Sequence, residues 1–280
     1  SYYDYENWRR KTYPNTQKVT IRNEHATFNH MFAYGFRQGM CHIDKLNFRK
    51  ISVKGKDIGR RDIFSLKEYG KLVHYMRTYT SQESCPVETE RDERLLIRDC
   101  ILVASNTMLR VGEFTQIKWG DIISTETTID DAGLEVHLVT LNVRKEITKT
   151  RNPRQVISRG GEYLKRLHSR AVHTEPDDYI FTEVGGAKKY NKKKLYIHWK
   201  RLMDGIKLDY KTRNITWYSL RHFGITCRIR AGNLLSDISQ IAGTSISHIE
   251  SHYGHYDTEM LRKTALKNFT VDKNGISLRD

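Results

Sequence analysis

Four short stretches of this 280-residue chain gather side chains suited to chemistry on an anion. The first is Met108-Leu109-Arg110-Val111-Gly112-Glu113, followed by Ile117-Lys118-Trp119-Gly120-Asp121-Ile122. The second is Thr148-Lys149-Thr150, with Arg154 and Val156 a few residues on. The third is Tyr218-Ser219-Leu220-Arg221-His222-Phe223. The fourth begins at Ala242-Gly243-Thr244-Ser245 and ends in His252-Tyr253-Gly254-His255. Arginine offers a planar fork matched to the oxygens of a phosphate, a geometry that lysine lacks. A tyrosine hydroxyl can attack phosphorus or donate a hydrogen bond. His222, His252 and His255 raise the question of a metal, but they lack the i,i+4 pair with an acidic partner that a zincin carries. They are read as packing or supporting groups. A lone arginine or tyrosine is ordinarily a surface or core residue, and this chain has 16 tyrosines. The ordered set is what points to a site.

In order and spacing these stretches resemble the tyrosine recombinase (phage integrase) family. That family carries an arginine in a Leu-Arg-x-Gly-Glu box and a lysine on a β-hairpin. A His-x-x-Arg box, a Leu-Gly-His box and a tyrosine with a histidine close behind it follow. Here Thr244 lies 23 residues after Arg221, and Tyr253 lies nine after Thr244. The resemblance covers Ile58 to about Phe269, and residues 1–57 resemble the last helices of the family's core-binding domain. It implies metal-free strand cleavage and rejoining in double-stranded DNA, with no cofactor and with no small molecule or membrane as partner. A homotetramer on paired sites is implied as well. Arg110 and Arg221 would then hold the non-bridging oxygens of the transition state, and Tyr253 would attack and form a 3′-phosphotyrosine. Lys149 would protonate the departing 5′-oxygen. Glu113 would brace the site. Lys145 competes with Lys149, and Tyr256 with Tyr253; the family spacing favours Lys149 and Tyr253. Two positions depart from the pattern: Tyr218 stands at the first histidine and Thr244 at the second. Both can donate a hydrogen bond to phosphate, but neither shuttles protons near neutral pH.

Charge supports a polyanionic partner. There are 48 Lys+Arg against 33 Asp+Glu, a formal net charge of +15, which favours nucleic acid or an anionic surface. No apolar run reaches membrane-spanning length and no signal pattern opens the chain. The densest basic run is Lys188, Lys189, Lys192, Lys193, Lys194, Lys200 and Arg201, interleaved with Tyr190, Tyr196 and Trp199; with Arg60 and Arg61 it is the candidate DNA-backbone surface. Cys41, Cys85, Cys100 and Cys227 form no C-x-x-C pair, which suits a reducing cytosol; the resemblance implies that of a bacterium or a phage-infected cell. The chain opens at Ser1, not Met, and is read as a piece of something longer.

Elements must position these side chains. Ile21, Phe28, Met31, Phe32 and Gly35 fall at helical spacing between Thr20 and Gly39, with Gly39 as the stop. The stretch 51–61, rich in glycine and cations, is a linker candidate. Ser65 and Glu68 predict a capping box that opens a helix through Tyr69, Leu72, Val73 and Met76. The polar 82–93 segment predicts a loop, and Leu95–Leu109 a helix. Leu134–Val143 predicts a strand whose apolar phase switches between Leu138 and Val139, from burial on both faces or from a bulge. Helices are expected over Glu162–Ala171, Asn191–Met203, Ser219–Arg230, Leu234–Ala242, Ser247–Gly254 and Thr258–Phe269, with a second capping box at Ser247 and Glu250. Leu261, Ala265 and Phe269 make an amphipathic tail that docks either on a neighbouring protomer or on its own subunit.

The expected fold is mainly α with a small antiparallel β-sheet (α+β). A partial helical core-binding domain at 1–57 precedes a catalytic domain at 58–280 with a C-terminal tail. Two rival functions remain, a type IB-like topoisomerase and a DNA-binding relative that has lost catalysis.

Overall fold

The computed structural model describes residues 4–53 and 62–253, with the backbone of two strands at 269–272 and 275–278. The chain separates into two compact units, Ser1–Arg61 and Asp62–Asp280. In the first, α1 (Tyr5–Thr12) and α2 (Lys18–Arg37) are tied by Arg9 and Tyr5, both of which donate to the Glu24 carboxylate. The His25 ring stacks on Phe48 at 4.0 Å. α2 stops where expected. Gly39 adopts φ +70°, and the Met40 N–H closes back on the Gly35 carbonyl at 2.8 Å, a Schellman turn. The helix α1 carries no buried residue and was not foreseen.

The second unit opens with α3 (Leu66–Tyr79), started by the Ser65–Glu68 capping box read from the sequence. The loop expected over 82–93 is only half correct, because α4 (Glu88–Thr107) begins inside it. Glu88 and Glu90 occupy the first turn of α4, where carboxylates offset the helix dipole. The acid-rich composition was therefore a helix start. After the short α5 (Val111–Phe114) comes a three-stranded antiparallel sheet, β1 (Ile122–Ile129), β2 (Glu135–Val143) and β3 (Arg154–Arg159), in that order. In β2, Val139, Leu141 and Val143 are buried while Leu138 is only partly so. The register irregularity lies in β1, between Ile122 and Ser124. β1 went unnoticed because its residues are mostly exposed, with Ile123 and Ile129 both in solvent, so no apolar alternation marks it.

Among the described residues five helices follow: α6 (Gly161–Arg170), α7 (Lys192–Gly205), α8 (Tyr218–Arg230), α9 (Leu235–Ala242) and α10 (Ile246–Tyr253). The second capping box is corrected. Ser245, outside α10, accepts from the His248 N–H at 3.2 Å, so Ser247 sits inside the helix. The helix expected over Thr258–Phe269 lies outside the described residues except at its end. There Phe269 opens a two-stranded hairpin, β4 (Phe269–Asp272) and β5 (Gly275–Leu278). Leu261 and Ala265 of the amphipathic tail are likewise outside the described residues.

Helix α4, buried over most of its length from Leu96 to Thr107, is the axis of this unit and packs against α6, α8 and β3. The main core gathers around it, with Leu72, Ile101, Phe114, Leu141, Trp217 and Leu220 among its members. A smaller core of Met108, Ile225, Ile229, Ile238, Ala242 and Ile249 joins the end of α4 to α8, α9 and α10. Each Leu, Ile, Met or Phe side chain among them contributes about 1.5–3 kcal/mol when fully buried. The chemistry-bearing residues lie where the two cores meet. No helix among the described residues is long and apolar enough to cross a membrane.

Candidate active site

Arg221 and Arg110 are brought together by the crossing of α4 and α8. Gly224 makes that crossing close: a Cβ there would fall 2.2 Å from the Ser105 carbonyl oxygen of α4. On the same face of α8, at i−3 and i+4 from Gly224, Arg221 and Arg228 reach the last carbonyls of α4. Arg228 donates to Asn106 O at 2.7 Å and Arg221 to Met108 O at 2.5 Å. Helix-end carbonyls have no partner of their own, so two guanidinium groups satisfy them. Met108 is a buried non-glycine residue at φ +55°, a conformation that costs on the order of 1 kcal/mol or more and turns the chain sharply out of α4. Arg110 follows two residues later at the N-cap of α5. Arg221 is itself 4 % exposed. Burial lowers its pKa and the charge of Arg110 lowers it further, while Tyr218, Glu113 and Tyr253 act in the opposite direction. A guanidinium stays protonated in a protein, so the pair is a cationic centre with Arg221 buried and Arg110 partly exposed.

Glu113, 1 % exposed, holds this centre in place. One carboxylate oxygen accepts from Arg110 Nη1 at 2.8 Å and the other from Arg154 Nη2 at 2.8 Å. Burial alone would push its carboxyl up, but the hydrogen bonds and charge of Arg154, together with Arg110, hold it below the usual carboxylate range. Both arginines also grip the end of α9. Arg110 Nη2 donates to Gly243 O at 2.5 Å and Arg154 Nε to Ile241 O at 3.0 Å. Gly243 stops α9 at φ +62°, and a Cβ there would lie 2.6 Å from the Arg154 guanidinium carbon. Thr244, next in the chain and partly buried, is thereby delivered beside the arginines.

Tyr253 closes α10, and its hydroxyl is hydrogen-bonded to Nδ1 of His222, one residue beyond Arg221. The two rings lie 5.4 Å apart. Tyr218, one turn earlier on α8, meets the His222 ring edge-on at 4.9 Å. Lys149 is exposed, in the connection between β2 and β3, and no described contact ties it to the arginines. The structure therefore gathers Arg110, Glu113, Arg221, Tyr218, Thr244 and Tyr253 and leaves Lys149 on the hairpin outside. Three residues escaped the sequence reading as site members. In the sequence Arg154 is only a spacing mark, and His222 reads as a packing or supporting group. His248 was not singled out; burial and then the charges of His252, Arg221 and Arg110 push its imidazole down. Spacing alone could have flagged His222, which shares a helix face with Tyr218. Nothing local marks Arg154 or His248.

The basic run divides between surface lysines and buried aromatics. Lys188, Lys189, Lys192, Lys193 and Lys194 are exposed, although Lys194 pairs with Glu183 at 3.4 Å. Its aromatics are mostly core: Tyr190 and Trp199 are buried, with Tyr190 donating to Glu93 at 2.6 Å, and only Tyr196 is exposed. Tyr190 and Trp199 thus belong to packing, Trp199 on the buried face of α7 and Tyr190 in the segment just before it. Arg60 and Arg61 lie outside the described residues, as do His255 and Tyr256.

This arrangement of helices around a three-stranded sheet is the fold of the tyrosine recombinase catalytic domain. The chain is similar to the XerH site-specific recombinase bound to palindromic difH substrate in a post-cleavage complex. The TM-score is 0.63 at 18 % identity, over 90 % of this chain and 65 % of that one. This chain thus spans just under two thirds of that recombinase. The Tn1549 transposon integrase in complex with circular intermediate DNA gives a TM-score of 0.59 at 13 % identity, over 94 % of this chain and 83 % of that one. A lambda integrase dimer bound to a COC′ core site gives 0.52 at 14 % identity, over 86 % and 76 %. No protein-family model and no curated protein sequence matches the chain.

Proposed function

We propose that this chain is a site-specific recombinase that cuts and rejoins double-stranded DNA through Tyr253, without metal or cofactor. The observation that carries the reading is the junction of α4, α8 and α10. There two arginines, one of them buried, share a site with a tyrosine hydroxyl. Such a pair is suited to the negative charge that builds on a phosphodiester under attack. Arg110 and Arg221 hold the non-bridging oxygens, Tyr218 and Thr244 donate neutral hydrogen bonds, and Glu113 with Arg154 keeps Arg110 aimed. Lys149, on its exposed connection, protonates the 5′-oxygen once DNA draws the hairpin in. Lys188, Lys189, Lys192 and Lys193 contact the phosphate backbone with Arg60 and Arg61. The helical unit ahead of Asp62 serves as a core-binding domain, and the active assembly is a homotetramer on two duplexes.

The test is covalent capture. The protein is incubated with a library of nicked duplexes, and DNA that resists denaturant is recovered and sequenced. Wild type should retain DNA bearing a common site, and Tyr253→Phe should bind that site without retaining it. If Tyr253→Phe still retains DNA while Tyr256→Phe does not, the nucleophile is misassigned. No covalent DNA from any variant would leave only a binding protein.

A further inference from the structure

A phenol with an ordinary pKa of ~10 is protonated at neutral pH, so the Tyr253 proton must leave as the oxygen bonds to phosphorus. Two observations bear on where it goes. The Tyr253 hydroxyl is hydrogen-bonded to Nδ1 of His222. The neighbouring imidazole of His252 has its own Nδ1 engaged with His248 O at 3.0 Å and Ser251 Oγ at 2.9 Å. His222 is carried on α8 between two fixed points. Arg221 beside it is anchored to Met108 O, and the Tyr218 ring lies edge-on to it one turn back. The imidazole is therefore held by the same helix that holds the arginine.

We infer that His222 is a further catalytic residue, the general base that takes the proton of Tyr253. The inference rests on the DNA-cleaving function proposed above. The neutral ring carries its hydrogen on Nε2 and accepts at Nδ1. As the Tyr253 oxygen attacks, its proton passes to Nδ1 while the P–O5′ bond breaks and the 5′-oxygen takes a proton from Lys149. In rejoining, the 5′-hydroxyl returns its proton to Lys149 as it attacks phosphorus, the phosphotyrosine bond breaks, and His222 returns its proton to the phenol. The adjacent Arg221 cation stabilises the transient phenolate.

A substrate with sulfur in place of the scissile 5′-oxygen separates this role from that of Lys149. A thiolate departs without a proton, so the sulfur substrate relieves loss of the acid but not loss of the base. Single-turnover cleavage is measured on nicked duplexes carrying the site recovered by covalent capture, using variants shown to bind it. Lys149→Ala should be slow on oxygen and restored to near the wild-type rate on sulfur. His222→Ala should be slowed roughly a hundredfold or more on both. His222→Asn keeps a hydrogen-bond acceptor near the Nδ1 position but cannot hold a proton, and it should be as slow as His222→Ala. Restoration by asparagine would make His222 a positioning residue and overturn the inference, as would rescue of His222→Ala by sulfur or a wild-type rate in either variant. In unmutated protein, imidazole ¹⁵N shifts should show Nδ1 of His222 unprotonated, and an Nδ1–H ring would overturn it equally. Absence of covalent DNA from the wild type tells against the cleavage reading itself, and retention of DNA by Tyr253→Phe against Tyr253 as its nucleophile, whereas fast His222 variants leave both standing.

Discussion

At the scale of single residues, the site combines buried charge with neutral hydroxyls, and these should differ in what their loss costs. Arg221 is a buried cation at the meeting point of α4 and α8. Tyr218 and Thr244 each offer one uncharged donor. Losing a neutral hydrogen bond to a charged phosphate costs roughly 1.5–3 kcal/mol, about ten- to a hundredfold in rate. Tyr218→Phe and Thr244→Val should therefore stay measurably active in single-turnover cleavage, whereas Arg221→Ala should fall below detection. Equal inactivity of Tyr218→Phe and Arg221→Ala would give Tyr218 a part in proton transfer and weaken the pairing of His222 with Lys149.

At the scale of elements, the carboxylate of Glu113 fastens α5, β3 and, through its two arginines, the end of α9. Removing one partner of a buried ion pair leaves the others uncompensated, at a cost of about 3–5 kcal/mol. Glu113→Gln should lose stability of that order in denaturant unfolding near pH 7. The sign with pH follows from the direction of its shift. Its folded pKa lies below the ordinary value of ~4.3, so its contribution is complete above that pH and disappears as pH falls through the folded value. The gap between wild type and Glu113→Gln should narrow in acid; a constant gap from pH 7 to pH 3 would locate the loss in packing. Asp99, buried among Arg98, Arg166 and Arg170, is also shifted down despite its burial and adds to the same acid sensitivity.

At the scale of the whole molecule, the proposed recombinase function requires the net charge of +15 to act on DNA. Each phosphate neutralised releases counterions, so affinity should fall steeply with salt, by on the order of a thousandfold between 50 and 200 mM if six or more contacts form. A flat salt dependence in a titration would argue against a DNA partner. Cleavage should persist in EDTA, because two arginines and a lysine supply the charge that a divalent ion would otherwise bring. Activity lost to chelator and restored by magnesium would sink the mechanism.

The amino-acid sequence by itself determined the features written in adjacent residues: the stop of α2 at Gly39, the capping box at Ser65 and Glu68, and the ordered boxes around Arg110, Arg221 and Tyr253. Local chemistry suffices there, because a positive φ or a cap engages partners within one helical turn. Tertiary structure alone decided which partners the functional groups take. Arg154 meets Glu113 across 41 residues, Arg221 meets Met108 O across 113, and His222 meets Tyr253 across 31. Those pairings depend on how closely α4 and α8 cross and where α9 stops, and periodicity records only which face is buried. β1 was illegible for the same reason: a largely exposed strand needs no apolar pattern, because its place is set by hydrogen bonds to β2.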